Sequence, residues 1–323
     1  MAANTKIEWC DHTFNPWSGC AKVSPGCAHC YAEALSKRSP KTFGQWGKGA
    51  PRRRTGAINW NLPVKWNSDA FAAIENIRHT NAFGPAGMAL VPEPPRPRVF
   101  CASLADWLDD EVPVEWLADL LSLIVKTPRL DWLLLTKRPQ NFSHRILGAA
   151  SWLRGGAPGT PREWIVDWED GSPPPNVWIG TTVEDQQRAD ERIPLLLKIP
   201  ARVRFLSCEP LLGPVDIATP LLTAKYAAAE GKTITELLDP GQPDPEWIDW
   251  VICGGESGPG ARPMKAEWAR SLREQCKHAG VAFLFKQWGE HDEHGNKVGK
   301  AAAGKLLDGV EHLEFPAVGG NAP

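Results

Sequence analysis

From Arg98 onward the chain repeats one unit: an apolar run of strand length stops in a polar cluster, and a segment with helical spacing follows. The runs are Arg98–Ser103, Trp132–Arg138, Val177–Thr182, Val203–Glu209, Trp250–Glu256 and Ala282–Gln287. Between them Val114–Lys126 spaces Leu117, Leu120, Leu121 and Ile124 along one face, and helices are predicted over Asp185–Lys198 and Lys265–His278, the last closed by Gly280. Strand alternating with helix predicts an α/β fold in which helices cover a parallel sheet. With 323 residues and 42% hydrophobic content, one large core is expected. The architecture that fits is a (β/α) barrel, complete or partial, of six to eight parallel strands.

The first third is less regular, and one or two further strands are expected near Thr5–Trp9 and Leu62–Trp66. Residues 1–290 then form a single barrel domain. The proline-rich stretch Val91–Pro97 reads as an extended connector, and insertions are expected near 155–175 and 220–245, the second with a short helix over Leu222–Ala229. Residues 291–323 are weakly patterned and are expected to form a fraying tail. The N-terminus lacks an apolar leader and no run is long enough to span a bilayer, so a soluble, cytoplasmic protein without a membrane partner is expected.

In a parallel α/β sheet ligands sit at the carboxyl ends of the strands. Ser103, Thr136, Lys137, Arg138, Thr181, Glu184, Ser207, Glu209, Gly254 to Ser257 and Lys286 all fall there. Any single end of this kind is explained by the polarity of loops; six in succession point to a site. The sixteen tryptophans, against two tyrosines, are read as core and loop packing, with base stacking assigned to none.

Three of the eight cysteines crowd into Cys20, Cys27 and Cys30, a C-x6-C-x2-C pattern that runs into a predicted helix over Ala28–Arg38. Gly19, Pro25 and Gly26 let the loop fold tightly, and a helix N-terminus favours negative charge behind the last two thiolates. Crowded cysteines without a disulfide framework suggest metal. A structural zinc site is closed by four ligands, whereas a cubane on three thiolates keeps one iron open. Cys10, His12 or His29 would be the fourth ligand of a zinc site, and buried cysteines without metal are a further alternative.

The cysteine loop, Leu135-Thr136-Lys137-Arg138-Pro139, Ser207-Cys208-Glu209-Pro210-Leu211 and Gly254-Gly255-Glu256-Ser257-Gly258 together resemble a phage-associated family of three-cysteine-motif proteins, regarded as radical-S-adenosylmethionine-like. The likeness runs from about residue 6 to 290. It implies a radical-SAM-like barrel with a [4Fe-4S] cluster on Cys20, Cys27 and Cys30, whose free iron is chelated by S-adenosylmethionine. One-electron reduction by an external donor would release a 5′-deoxyadenosyl radical that abstracts a substrate hydrogen. The wider superfamily spaces its cysteines C-x3-C-x2-C with an aromatic before the last; here six residues separate the first two, and Tyr31 follows the last. Tyr31, Gly254, Gly255, Glu256, Ser257 and Glu209 are the expected cofactor contacts. Glycines permit close backbone approach, and Glu256 or Glu209 would pair with the cofactor's ammonium. A plain turn at Gly254-Gly255 is the alternative.

Between Ala34 and Ser68 there is no acidic residue, while Lys37, Arg38, Lys41, Lys48, Arg52, Arg53, Arg54 and Lys65 occur with Phe43, Trp46 and Trp60 interleaved. Such a segment either tracks phosphates and stacks bases of DNA or RNA, or is a solvated basic loop. Lys137, Arg138 and Lys286 would add an anion-binding wall. The expected function is a radical enzyme that modifies or repairs a nucleobase or nucleotide. The rivals are a zinc-containing, non-catalytic nucleic-acid-binding protein and an iron–sulfur redox sensor.

Overall fold

The computed structural model describes residues 5, 7–84, 89–153, 159–219 and 247–317. Among the described residues nine strands run in chain order: β1 His12–Thr13, β2 Trp17–Ser18, β3 Arg53–Arg54, β4 Arg98–Cys101, β5 Asp131–Thr136, β6 Val177–Thr182, β7 Val203–Cys208, β8 Trp250–Gly254 and β9 Ala282–Gln287. Seven of them form one sheet in the order β1-β4-β5-β6-β7-β8-β9, and every pair in it is parallel. The other two, β2 and β3, make a small antiparallel ribbon. The helices are α1 Tyr31–Arg38, α2 Pro40–Phe43, α3 Ala57–Trp60, α4 Leu62–Phe83, α5 Val114–Lys126, α6 Phe142–Trp152, α7 Pro161–Glu169, α8 Gln186–Leu197, α9 Ala266–Ala279 and α10 Lys300–Ala303.

The strands are apolar on both faces, and each face feeds a separate core. Val99, Cys101, Trp132, Leu134, Ile179, Val251 and Phe285 pack outward against the helices. Helix α5 meets them with Leu117, Leu120, Leu121 and Ile124, all fully buried, each contributing about 1.5–3 kcal/mol over an exposed side chain. The alternate residues Phe100, Leu133, Trp178, Phe205, Trp250, Ile252 and Leu284 form an inner cluster around Trp9. The Trp9 ring lies 4.5 Å from Phe100 on β4 and 6.3 Å from Trp250 on β8. Those strands are four positions apart, roughly 19 Å in a flat sheet. The sheet is therefore curled around Trp9 into a partial barrel, with β1 and β9 as its edges.

Three expectations need correction. Leu62–Trp66 is not a strand but the first turn of α4, where Pro63 suits an opening turn that needs no amide donor. In the other proposed region the strand is His12–Thr13, after Thr5–Trp9, fixed by its pairing with Val99 and Phe100. The tail does not fray through residue 317: Phe285 donates to His312 O at 2.9 Å, Glu314 to Phe283 O at 3.2 Å, and Trp250 Nε1 to Glu314 O at 2.9 Å. Phe315 sits 5.2 Å from the Trp250 ring with the Arg98 guanidinium 4.0 Å over it. This closing segment covers the edge of β9.

Much of the first insertion is α7, whose fully buried Trp168 stacks 6.4 Å from Trp107. The second, with its expected Leu222–Ala229 helix, lies outside the described residues. No described helix is long and apolar enough to cross a membrane.

Candidate functional site

A cavity of about 500 Å³ opens at the carboxyl ends of the curled strands. Trp9, Phe100 and Leu135 give it an apolar floor, and Cys20, Cys27 and Cys30 line one side. Lys137, Ser207, Glu209, Ser257 and Lys286 line it from the strand ends. All eight cysteines are free thiols.

The cysteine loop is braced from several strand ends. After β4, Asn15 Oδ1 accepts from the Leu104 amide at 2.7 Å, and the Gly19 amide donates to Leu104 O at 3.1 Å. From β6, the fully buried Glu184 accepts the Gly26 amide at 3.1 Å and pairs with Arg192 at 2.9 Å. From β8, Arg262 donates to Pro25 O at 3.1 Å while Glu256 grips its guanidinium at 2.6 and 2.8 Å. His29 Nδ1 stands 3.1 Å from the same carboxylate. Helix α1 begins only at Tyr31, after a 3-10 turn over Pro25–Cys27, and the Tyr31 hydroxyl donates to Ser103 O at 2.7 Å.

Arg138 brings its guanidinium within hydrogen-bonding reach of a motif thiol. Its Nη1 and Nη2 lie 3.5 and 3.7 Å from Cys20 Sγ, while Asp106 at 3.0 Å and Ala21 O at 2.9 Å fix the guanidinium plane. Asp106 also accepts from the Thr136 hydroxyl at 2.7 Å and the Lys137 amide at 2.8 Å, so one carboxylate organises the end of β5. Burial and the Asp106 charge push the Cys20 thiol up to about 11, and Arg138 works against both.

Several expected roles change. Arg138 lines the cavity beside Lys137 and Lys286, but its guanidinium is buried and held by Asp106 and the cysteine loop. Lys286 pairs with Glu209 at 2.8 Å. Glu256 is already held by Arg262 and His29; burial would raise its carboxyl, but the Arg262 bonds keep it below the usual range. It works as a strut for the loop rather than as a carboxylate awaiting an ammonium group. Ser257 accepts from Gln287 Nε2 at 3.0 Å. The paired glycines make room for protein: a Cβ at Gly254 would press on Glu209 at 2.8 Å, and one at Gly255 would overlap the Trp288 carbonyl.

The basic segment also divides. Arg52 is buried, bound to Asp109 at 2.8 Å, Glu111 at 3.1 Å and the carbonyls of Gly47 and Ala50, and cannot reach a phosphate. Arg54 pairs with Asp119 at 2.6 Å and lies over Trp60. Lys37 and Lys65 pair with Glu33 and Asp69. Arg53, Lys41 and Lys48 remain at the surface, and none of the three arginines lines the cavity.

Of the candidate fourth metal ligands, Cys10 is buried with the inner cluster and His12 stacks on Trp66 at 4.2 Å. His29 alone of the three shares the cavity with the motif thiols. Among the described residues no three His, Cys, Asp or Glu side chains converge on a single ion. A cubane asks for less convergence, since each thiolate binds its own iron. Three thiols on one cavity wall, one of them facing a guanidinium, are a donor set that suits such a cluster.

Asp106, Asp109, Arg192 and Arg262 had no assigned role in the sequence. Asp106 and Asp109 follow a strand end, a signal that was available; the other two arginines are set apart only by their partners in space.

A family profile described as a protein of unknown function matches residues 4–316, a span that includes the closing segment. No curated protein and no solved structure matches the chain.

Proposed function

This chain belongs to the DUF5131 family, proteins of unknown function, and from its own residues we propose that it is a radical-S-adenosylmethionine-like iron–sulfur enzyme acting on a nucleobase or nucleotide. Cys20, Cys27 and Cys30 would hold a [4Fe-4S] cluster, leaving one iron for S-adenosylmethionine. The observation that carries the reading is positional: three free thiols on a braced loop share one cavity with the polar ends of a curled parallel sheet. A volume of about 500 Å³ suits a small-molecule site. When bound, the pair supplies reductive cleavage to a 5′-deoxyadenosyl radical for hydrogen abstraction, drawing its electron from an external donor.

The chain's own residues do the rest. The Trp9, Phe100 and Leu135 floor keeps bulk water from the reacting atoms. Glu209 binds the cofactor's ammonium in exchange for Lys286. Lys137, which lines the cavity without an ion pair among the described residues, receives an anionic group of the substrate. Arg53, Lys41 and Lys48 offer an exposed basic surface to DNA or RNA. A cytoplasmic, reducing compartment keeps the thiols available.

Anaerobic reconstitution, with iron, sulfide and zinc analysis and electron paramagnetic resonance, tests the reading. Iron near four per chain, a signal altered by S-adenosylmethionine, and 5′-deoxyadenosine whose yield rises with DNA or RNA are expected. Zinc without a reducible cluster would overturn it in favour of a binding module. A cluster that never cleaves the cofactor would leave a redox sensor.

A further inference from the structure

We propose that Arg138, held in place by Asp106, raises the reduction potential of the cluster by directing two N–H groups at the sulfur of Cys20. The inference rests on the cluster assignment above. It starts from an inequivalence among the three thiols. Cys20 Sγ faces Arg138 Nη1 at 3.5 Å and Nη2 at 3.7 Å. Among the described residues Cys27 Sγ has only the Ser24 hydroxyl, at 3.9 Å.

The guanidinium is fixed on every side. Asp106 Oδ2 takes Nη1 at 3.0 Å, Ala21 O takes Nη2 at 2.9 Å, and Asp109 Oδ1 stands 3.9 Å from Nη2. Its side chain is 7% exposed, so water does little to screen it. The two carboxylates offset part of its charge at long range. What reaches the sulfur is chiefly a pair of directed N–H donors, and donors to cluster sulfurs are one of the terms that set iron–sulfur potentials. Reduction adds one electron from an external donor to the cluster, taking the core from 2+ to 1+ as the donor is oxidised by one electron. Donors at Cys20 stabilise the added negative charge. Asp106 is a positioning residue, acting through Arg138.

The test is a mediated redox titration of reconstituted protein, followed by electron paramagnetic resonance, with no substrate present. Arg138→Gln is expected to keep its iron and shift the reduction equilibrium about tenfold toward the oxidised form, about 59 mV more negative for one electron. Arg138→Lys, a cation without the planar fork, is expected to shift it the same way by about threefold. Lys277→Met, which removes an exposed cation outside the cavity, is expected to stay within twofold. Equal midpoints in wild type and both Arg138 variants would overturn the inference. Loss of iron from both variants would overturn it too, making Arg138 a scaffold for the loop. Failure of the wild type to bind iron would instead remove the cluster assignment.

Discussion

Gly26, immediately before the second motif cysteine, donates its amide to Glu184 Oε1 at 3.1 Å, and the other oxygen of that fully buried carboxylate holds Arg192 at 2.9 Å. A Cβ on Gly26 would come within 3.0 Å of the same oxygen. The cysteine loop thus rests on a carboxylate that is itself fixed by helix α8. Burial works against ionisation of Glu184, but Arg192, the Ser24 hydroxyl, the Lys137 charge and the Gly26 amide together keep its carboxyl below the usual range.

The sign of its pH dependence follows. A depressed folded-state pKa contributes stability above the unfolded value, about 4.3, and that contribution is lost as pH falls through the folded value. Glu184→Gln should therefore flatten the acid limb of the stability profile. Glu184→Ala, which leaves Arg192 buried without its partner, should cost about 3–5 kcal/mol. Urea unfolding from about pH 3 to pH 7 measures both.

Asp131 should behave in the opposite sense. Burial raises its carboxyl to about 6, against the pull of Arg96, Arg202 and Arg98. The folded state then binds the proton more tightly, so this residue's contribution declines as pH rises from about 4 to about 6. Asp131→Asn should remove that decline, a difference on the order of 1–3 kcal/mol between the two profiles.

Gly255→Ala should destabilise the fold by about 3 kcal/mol or more, because the added carbon meets the Trp288 carbonyl rather than a movable side chain. A lowered thermal midpoint in metal-free protein would check this. An effect seen only with cofactor present would instead mark Gly255 as a ligand contact.

Cys27→Ala should abolish iron uptake, whereas Cys276→Ala should leave it unchanged. Cys276 is fully buried on α9 behind the sheet and behaves as a small apolar side chain, so its truncation should cost about 1 kcal/mol. Iron stoichiometry and chemical denaturation separate the two effects, and equal iron loss from both would contradict the motif.

Arg52→Met should be far more damaging to stability than Arg53→Ala. The first strands Asp109 in the interior, at about 3–5 kcal/mol, while the second alters an exposed side chain within roughly 0.5 kcal/mol. If the proposed nucleic-acid contact holds, only Arg53→Ala should lessen its salt dependence without unfolding the protein.

The sheet was legible because its signal is local. Six strands and the helices at Val114, Gln186 and Ala266 fall within a few residues of where periodicity and capping residues set them. The same locality misled at Leu62–Trp66, a short window that is apolar enough for a strand but opens a 22-residue helix. The closing segment left no pattern to read, since it binds β9 and Trp250 largely through backbone groups, which every sequence possesses.

Side-chain types alone determined that a parallel α/β sheet would form and marked Cys20, Cys27 and Cys30 as a crowded thiol loop, which the tertiary structure then set on the cavity at the sheet's carboxyl end. Which charges remain available there was decided only by the tertiary structure. Arg52, Arg138 and Glu256 have the residue types of a binding site, but folding brought Asp109, Asp106 and Arg262 against them. A buried charge must find a partner close in space, and the partner's distance along the chain carries no information about that encounter.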